Sequence, residues 1–129
     1  MHPLRRHIQE TIPLNDDEFE KVISVFKLRK LKRFHFLLQE GAICTFDCFV
    51  LNGALKQYFI NEEGKEHVIQ FAFKDWWISD WSSILTQSPS AYNIEAIEQT
   101  EVLQVDVSAF DKLFDAVPKM EKYFRIMFQ

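Results

Sequence analysis

The sequence predicts a mainly β domain with helices at both ends. Three observations carry this. From residue 28 to 107, short runs rich in Phe, Val, Ile and Tyr are broken by turn residues; a capped amphipathic segment precedes them; two further amphipathic segments follow. At 129 residues the chain is the size of one domain, and with 47% hydrophobic residues, 13 Phe among them, it can fill one core and is not disordered. The formal net charge of −4 has the wrong sign for a surface that neutralises phosphates along a duplex, so the chain alone is not expected to grip DNA.

The lead helix is placed at residues 14–27, with Asp16 to Phe26 as its body. Asn15 is the N-cap, Glu18 completes a capping box, and Leu14 is positioned to staple onto Phe19. Phe19, Val22, Ile23 and Phe26 form the buried face. The start, MHPLRRHIQE, lacks the apolar centre of a signal peptide, and its His2 and His7 are assigned to a mobile tail. No apolar run approaches the roughly 20 residues that span a bilayer, and a cytoplasmic location is expected.

A β-roll over residues 28–107 follows. Cys44 to Leu51 turns at Asn52-Gly53 into Ala54 to Ile60, and the turn Asn61-Glu62-Glu63-Gly64 leads into Lys65 to Phe73. Tyr92 to Ile97 and Val102 to Val107 give two more strands. Residues 78–90 interrupt the sheet: they are Ser-rich, show no alternation, and can form one or two helical turns over Ser79 to Leu85. Two helices close the chain over residues 108–129. Ser108 caps the first, with Asp111 at N3 and Phe110, Leu113, Phe114 and Val117 buried. Pro118 restarts the chain, and Met120, Tyr123, Phe124, Met127 and Phe128 form an apolar stripe that reaches Gln129 without a C-cap. Left solvated, that stripe would expose three aromatics and two methionines, so it must pack on its own roll or on another chain.

Residue types that carry chemistry are sparse. Cys44 and Cys48, four apart on a strand, lie roughly 13 Å from each other, too far for a disulfide, and read as small buried apolar groups. His35 and His67 stand alone in strands without metal-ligand spacing, which fits a metal-dependent β-roll enzyme of the cupin kind poorly. No Ser-His-acid or Cys-His set emerges, so no catalytic residue and no metal ligand is assigned, and the chain is not expected to be an enzyme. Trp76, Trp77 and Trp81 cluster within six residues and serve either as a platform for a flat ring or as packing. Ser82, Ser83, Thr86 and Ser88 serve either as anion donors or as loop residues.

The stretches LNDDEFEKVISVF, LLQEGAICTFDCFVLNGALKQYFINEEGKEHVIQF and SAFDKLFDAVPKMEKYFRIMFQ, in this order, resemble the cyclic-nucleotide-binding domain of the Crp/Fnr transcription regulators. The resemblance covers most of the chain and implies a jelly roll, or double-stranded β-helix, of about eight strands. In that family the insert is a phosphate-binding cassette opened by Gly-Glu and closed by an Arg ten residues after the Glu. Backbone N–H groups and the guanidinium hold the cyclic phosphate, and the Glu accepts from the ribose. Anchored on Ile94-Glu95-Ala96, the cassette puts Ser79-Asp80 at the Gly-Glu positions and Ser90 at the Arg position, with Trp81, Ser82, Ser83 and Ala91 as further candidate ligand contacts.

Three departures matter here. Ser79 adds a Cβ, Asp80 is one methylene shorter than Glu, and Ser90 puts a neutral hydroxyl where a bidentate cation belongs. Losing two charge-assisted bonds of roughly 1.5–3 kcal/mol each should weaken a cyclic nucleotide about 100-fold or more. Lys74 and Lys56 are the nearby cations, and neither sits where the family puts its ligand group. The resemblance thus implies a non-enzymatic effector domain of a transcriptional regulator, with a degenerate cassette and no cofactor, open to an unidentified small-molecule effector. Met120, Tyr123, Phe124, Met127 and Phe128 would begin a dimerisation helix. DNA would be reached only through a winged helix-turn-helix domain, for which the residues after Val107 are too few. The alternative is a ligand-free homodimerisation or protein-interaction module of the same fold.

Overall fold

In the structure, a computed structural model describing residues 1–128, the alternating runs form eight strands in two antiparallel sheets. The first sheet contains β1 (Phe26–Leu31), β3 (Phe46–Asn52), β6 (Trp77–Ile78) and β8 (Thr100–Asp106) in the order β1-β8-β3-β6. The second contains β2 (Phe36–Leu38), β4 (Leu55–Ile60), β5 (Glu66–Ala72) and β7 (Asn93–Ala96) in the order β2-β7-β4-β5. This is the expected mainly β jelly roll with flanking helices, and the five strands read from alternation lie within one or two residues of β3, β4, β5, β7 and β8.

Five helices flank the roll: α1 (Pro3–Gln9), α2 (Asp16–Ile23), α3 (Trp81–Thr86), α4 (Phe110–Ala116) and α5 (Lys119–Met127). The first corrects the reading of a mobile N-terminal tail. Pro3 opens α1, His2 caps it by accepting from Leu4 N–H through Nδ1 at 3.0 Å, and Leu4 and Ile8, four apart, are wholly buried. The lead helix keeps its predicted start, with both capping-box bonds between Asn15 and Glu18 present, but ends at Ile23 rather than near residue 27. Ser24 Oγ turns back onto Lys21 O at 2.7 Å, and Phe26 and Lys27 belong to β1, where Phe26 packs against Trp77. Ser108 is not a cap. A 3-10 turn, Val107–Ala109, begins one residue earlier, and Asp106 caps it by accepting from Ser108 N–H. Cys44 lies just before β3 rather than in it, and His35 sits in the turn ahead of β2. The predicted final residue of the closing segment, Gln129, lies outside the described residues.

Alternation along the first sheet feeds two cores. Cys48, Val50 and Val102 point into the roll, with Leu55, Ile78 and Ile94. Phe49, Leu103 and Val105 point the other way, under α1, α2, α4 and α5, where they meet Leu4, Val22, Leu113 and Tyr123. The β3–β4 turn depends on Gly53: its φ is +94°, and a Cβ there would sit 2.4 Å from Thr100 Oγ1 and 2.6 Å from Gln99 O.

Candidate functional site

The insert between β6 and β7 is built as a cassette. Ser79 and Asp80 follow β6, and Asp80 caps the single short helix α3 by accepting from Ser83 N–H through Oδ1 at 3.2 Å. Ten residues on, Ser90 Oγ donates to Asp80 Oδ2 at 2.5 Å and accepts from Tyr92 N–H. The residues that the resemblance places at the acid and cation positions therefore bond to each other, and both are buried. Ser83 is buried too; its Oγ accepts from Cys44 N–H and donates to Ser88 O at 2.6 Å. Of the remaining predicted contacts, Ser82 and Ala91 are exposed, and Ser79 and Trp81 face elsewhere, as described below.

No Lys or Arg among the described residues bonds to Asp80, Ser83 or Ser90. Lys56 is paired with Glu66 at 2.9 Å and lies over the Tyr58 ring, and Lys74 is exposed in the turn after β5. Arg29, beside a second cleft of about 240 Å³ that Phe36 and Phe46 also line, donates to the carbonyls of Phe36 and Leu37 and to Gln104 Oε1.

The tryptophans have three different places. Trp76 is exposed against Phe73. Trp77 is packing: its ring meets Phe49 and Phe124, and its indole N–H donates to Tyr123 Oη at 2.9 Å. Trp81 joins the cassette to the closing helices, with Phe110 and Phe128 against its ring and its indole N–H donating to Asp47 Oδ2 at 3.1 Å. Tyr123, wholly buried, also meets His7 Nδ1 at 2.7 Å, so one hydroxyl ties α1, β6 and α5 together, and burial raises its pKa. The terminal stripe packs on its own chain: Met120, Tyr123 and Phe124 are buried there, and Met127 and Phe128 are partly covered.

Asp47 is the residue that sequence reasoning passed over. It shares the helix-facing side of β3 with Phe49 and is fully buried, and burial pushes its carboxyl up to about 7 against the lowering effect of Cys48 N–H and Trp81 Nε1–H. An acid inside the apolar run Phe46-Asp47-Cys48-Phe49-Val50-Leu51 was the available signal. Asp47, Ser79, Gln70, Trp77, Trp81 and Phe128 line a cleft of about 170 Å³ between the roll and the end of α5.

Roll, cassette and closing helices define the class: a regulatory domain of the cyclic nucleotide-binding fold. Residues 28–116 match the family described as Cyclic nucleotide-binding domain, and the chain belongs to that family. No curated protein matches the sequence. Among solved structures, the chain is similar to a cyclic nucleotide-binding domain from Methylobacillus flagellatus, with a TM-score of 0.81 and 16% identity over 97% of this chain and 71% of that one. It is similar to the Thermus thermophilus Catabolite Activator Protein, with a TM-score of 0.77 and 16% identity over 94% of this chain. It also resembles the sensor domain of the transcriptional regulator DNR from Pseudomonas aeruginosa, with a TM-score of 0.74 and 14% identity over 94% of this chain and 80% of that one. The chain spans 55% of the Thermus protein, and at these identities the likeness is one of fold. Among the described residues no helix is long and apolar enough to cross a membrane.

Proposed function

We propose that the chain is the effector domain of a cytoplasmic Crp/Fnr-type transcriptional regulator whose cassette does not hold a cyclic nucleotide through the family's phosphate contact. The Ser90–Asp80 bond carries this reading. At the position where the resemblance calls for a guanidinium there is a buried hydroxyl already committed to the neighbouring acid, and no described cation replaces it. A cyclic phosphate arriving there would meet a carboxylate and two engaged hydroxyls. DNA binding would belong to a separate domain, and a signal would pass from the roll through Trp81 to Phe128 at the end of α5.

Calorimetric titration with cAMP and cGMP tests this on the wild type and on the triple variant Ser79→Gly, Asp80→Glu, Ser90→Arg. The wild type is expected to give no heat of binding at micromolar nucleotide, and the variant to gain at least tenfold in affinity. Micromolar binding by the wild type would overturn the reading.

The second reading, a homodimerisation or protein-interaction module, is favoured by the edge strand β5. Its Val68, Ile69 and Phe71 are exposed, and Phe73 and Trp76 continue the apolar surface. On α5 only Ile126, Met127 and Phe128 remain to meet a second copy, so Phe124→Asp would report on folding, not association. Sedimentation velocity of the wild type and of Ile126→Asp and Phe71→Asp separates the surfaces: a dimer lost only in Ile126→Asp supports the helix, and one lost only in Phe71→Asp supports the strand.

A further inference from the structure

The cleft between the roll and the end of α5 has a chemistry that the cassette lacks. Beneath its floor lies the fully buried Asp47 carboxyl, held by two donors, Cys48 N–H at 2.8 Å and Trp81 Nε1–H at 3.1 Å, and among the described residues it has no ion-pair partner. Without a cationic partner a buried carboxyl is costly to ionise, which is why it holds its proton up to about 7, and a bound cation would offset that cost. The other polar groups of the cleft mainly accept. Ser79 Oγ gives its proton to Phe46 O at 2.6 Å, leaving lone pairs. Gln70 gives one amide hydrogen to Gln57 Oε1, leaving its own carbonyl oxygen and one further N–H. Both indole N–H groups are already used, on Tyr123 and Asp47. The walls are the rings of Trp77, Trp81 and Phe128, with Phe128 5.2 Å from Trp81 and 5.9 Å from Trp77 between centroids.

We propose that this cleft binds a small organic cation, a primary ammonium on a compact apolar group, with its N–H groups on Ser79 Oγ and Gln70 Oε1, its charge facing the Asp47 carboxylate beneath them, and its apolar part among Trp77, Trp81 and Phe128. Aromatic faces attract a cation through their quadrupole, most strongly where water is excluded, and the carboxylate supplies the opposite charge. An anion would face the Asp47 carboxylate with one free amide N–H, that of Gln70, and no cation, so the site is not a second place for a phosphate. The volume, about 170 Å³, suits a ligand the size of one six-membered ring with a short arm, since a cavity of about 150 Å³ takes a benzene ring. Phe128 ends α5, so an occupant bears directly on that helix. The site lies apart from the Asp80–Ser90 pair and stands whether or not a cyclic nucleotide binds.

The test compares benzylamine, protonated at pH 8, with benzyl alcohol, which is neutral and of the same size, following the three indole N–H signals of the wild-type protein by two-dimensional NMR. Benzylamine is expected to shift Trp77 and Trp81 saturably while leaving Trp76 in place, and to bind at least tenfold more tightly than benzyl alcohol. Asp47→Asn should remove that tenfold preference. Equal affinity for the two compounds, no saturable shift at 20 mM benzylamine, or a shift confined to Trp76 would each overturn the proposal. So would an unchanged preference in Asp47→Asn. If that variant does not fold, the wild-type comparison of charged and neutral probes decides.

Discussion

Asp47 links single-residue chemistry to stability. Its carboxyl titrates near 7 in the fold and near its ordinary 3.8 in the unfolded chain, so between those values the folded state holds the extra proton. Stability therefore falls as pH rises through that window, on the order of 2–3 kcal/mol between pH 5 and pH 8 from this group. Urea unfolding at both pH values should show that loss in the wild type and a correspondingly flatter dependence in Asp47→Asn; equal slopes would mean that the acid titrates normally. Tyr123 makes a second residue-level prediction. Tyr123→Phe orphans the partly buried Trp77 N–H and removes the contact with His7, which should cost about 1–3 kcal/mol in the same assay. A change below 0.5 kcal/mol would show that neither bond matters. Composition alone pointed to neither role: one acid among apolar neighbours and one Tyr in a stripe acquire partners only when β3, β6 and α5 meet.

Elements whose form is set by neighbouring residues could be read from the sequence, and those set by distant contacts could not. The Asn15–Glu18 capping box, the Asn52-Gly53 hairpin and the Asp80–Ser90 spacing are local and appear where expected. The end of α2 is not local: Phe26 continues the helical period, yet it joins β1 because that strand needs Phe26 opposite Val105 and under Trp77. The first helix was missed because its Leu4 and Ile8 are too few to show a period, and only the finished helical layer gives them a surface to bury on. Gly53 and Gly64, both at positive φ, separate two glycine roles. Gly53→Ala drives a Cβ into Thr100 and the Gln99 carbonyl and should prevent folding of the β3–β4 hairpin, whereas Gly64→Ala, with open space around it, should cost only about 1 kcal/mol. Circular dichroism and thermal midpoints of the two variants check this; similar midpoints would remove the special standing of Gly53.

For the whole molecule, the jelly roll and its family were accessible because strand order, hairpin glycine and cassette spacing survive in the sequence. The state of the cassette was accessible only as missing groups. The structure adds that Asp80 and Ser90 satisfy each other, and that Ser79 and Trp81 face the α5 cleft rather than the cassette floor. In the proposed reading the contact of Trp81 with Phe128 would carry the signal, so Trp81→Ala should leave the roll folded while loosening α5, seen as faster amide exchange over residues 119–127; loss of the whole fold would instead make Trp81 a core residue. The most direct measurement of the whole account is the thermal midpoint of the wild-type protein with and without cAMP at about 1 mM, with cGMP in parallel. A ligand at 100 times its dissociation constant stabilises by about 2.7 kcal/mol, which in a domain of this size raises the midpoint by roughly 5–15 °C. The self-bonded cassette predicts no change with either nucleotide; a rise of that size with either one would contradict it.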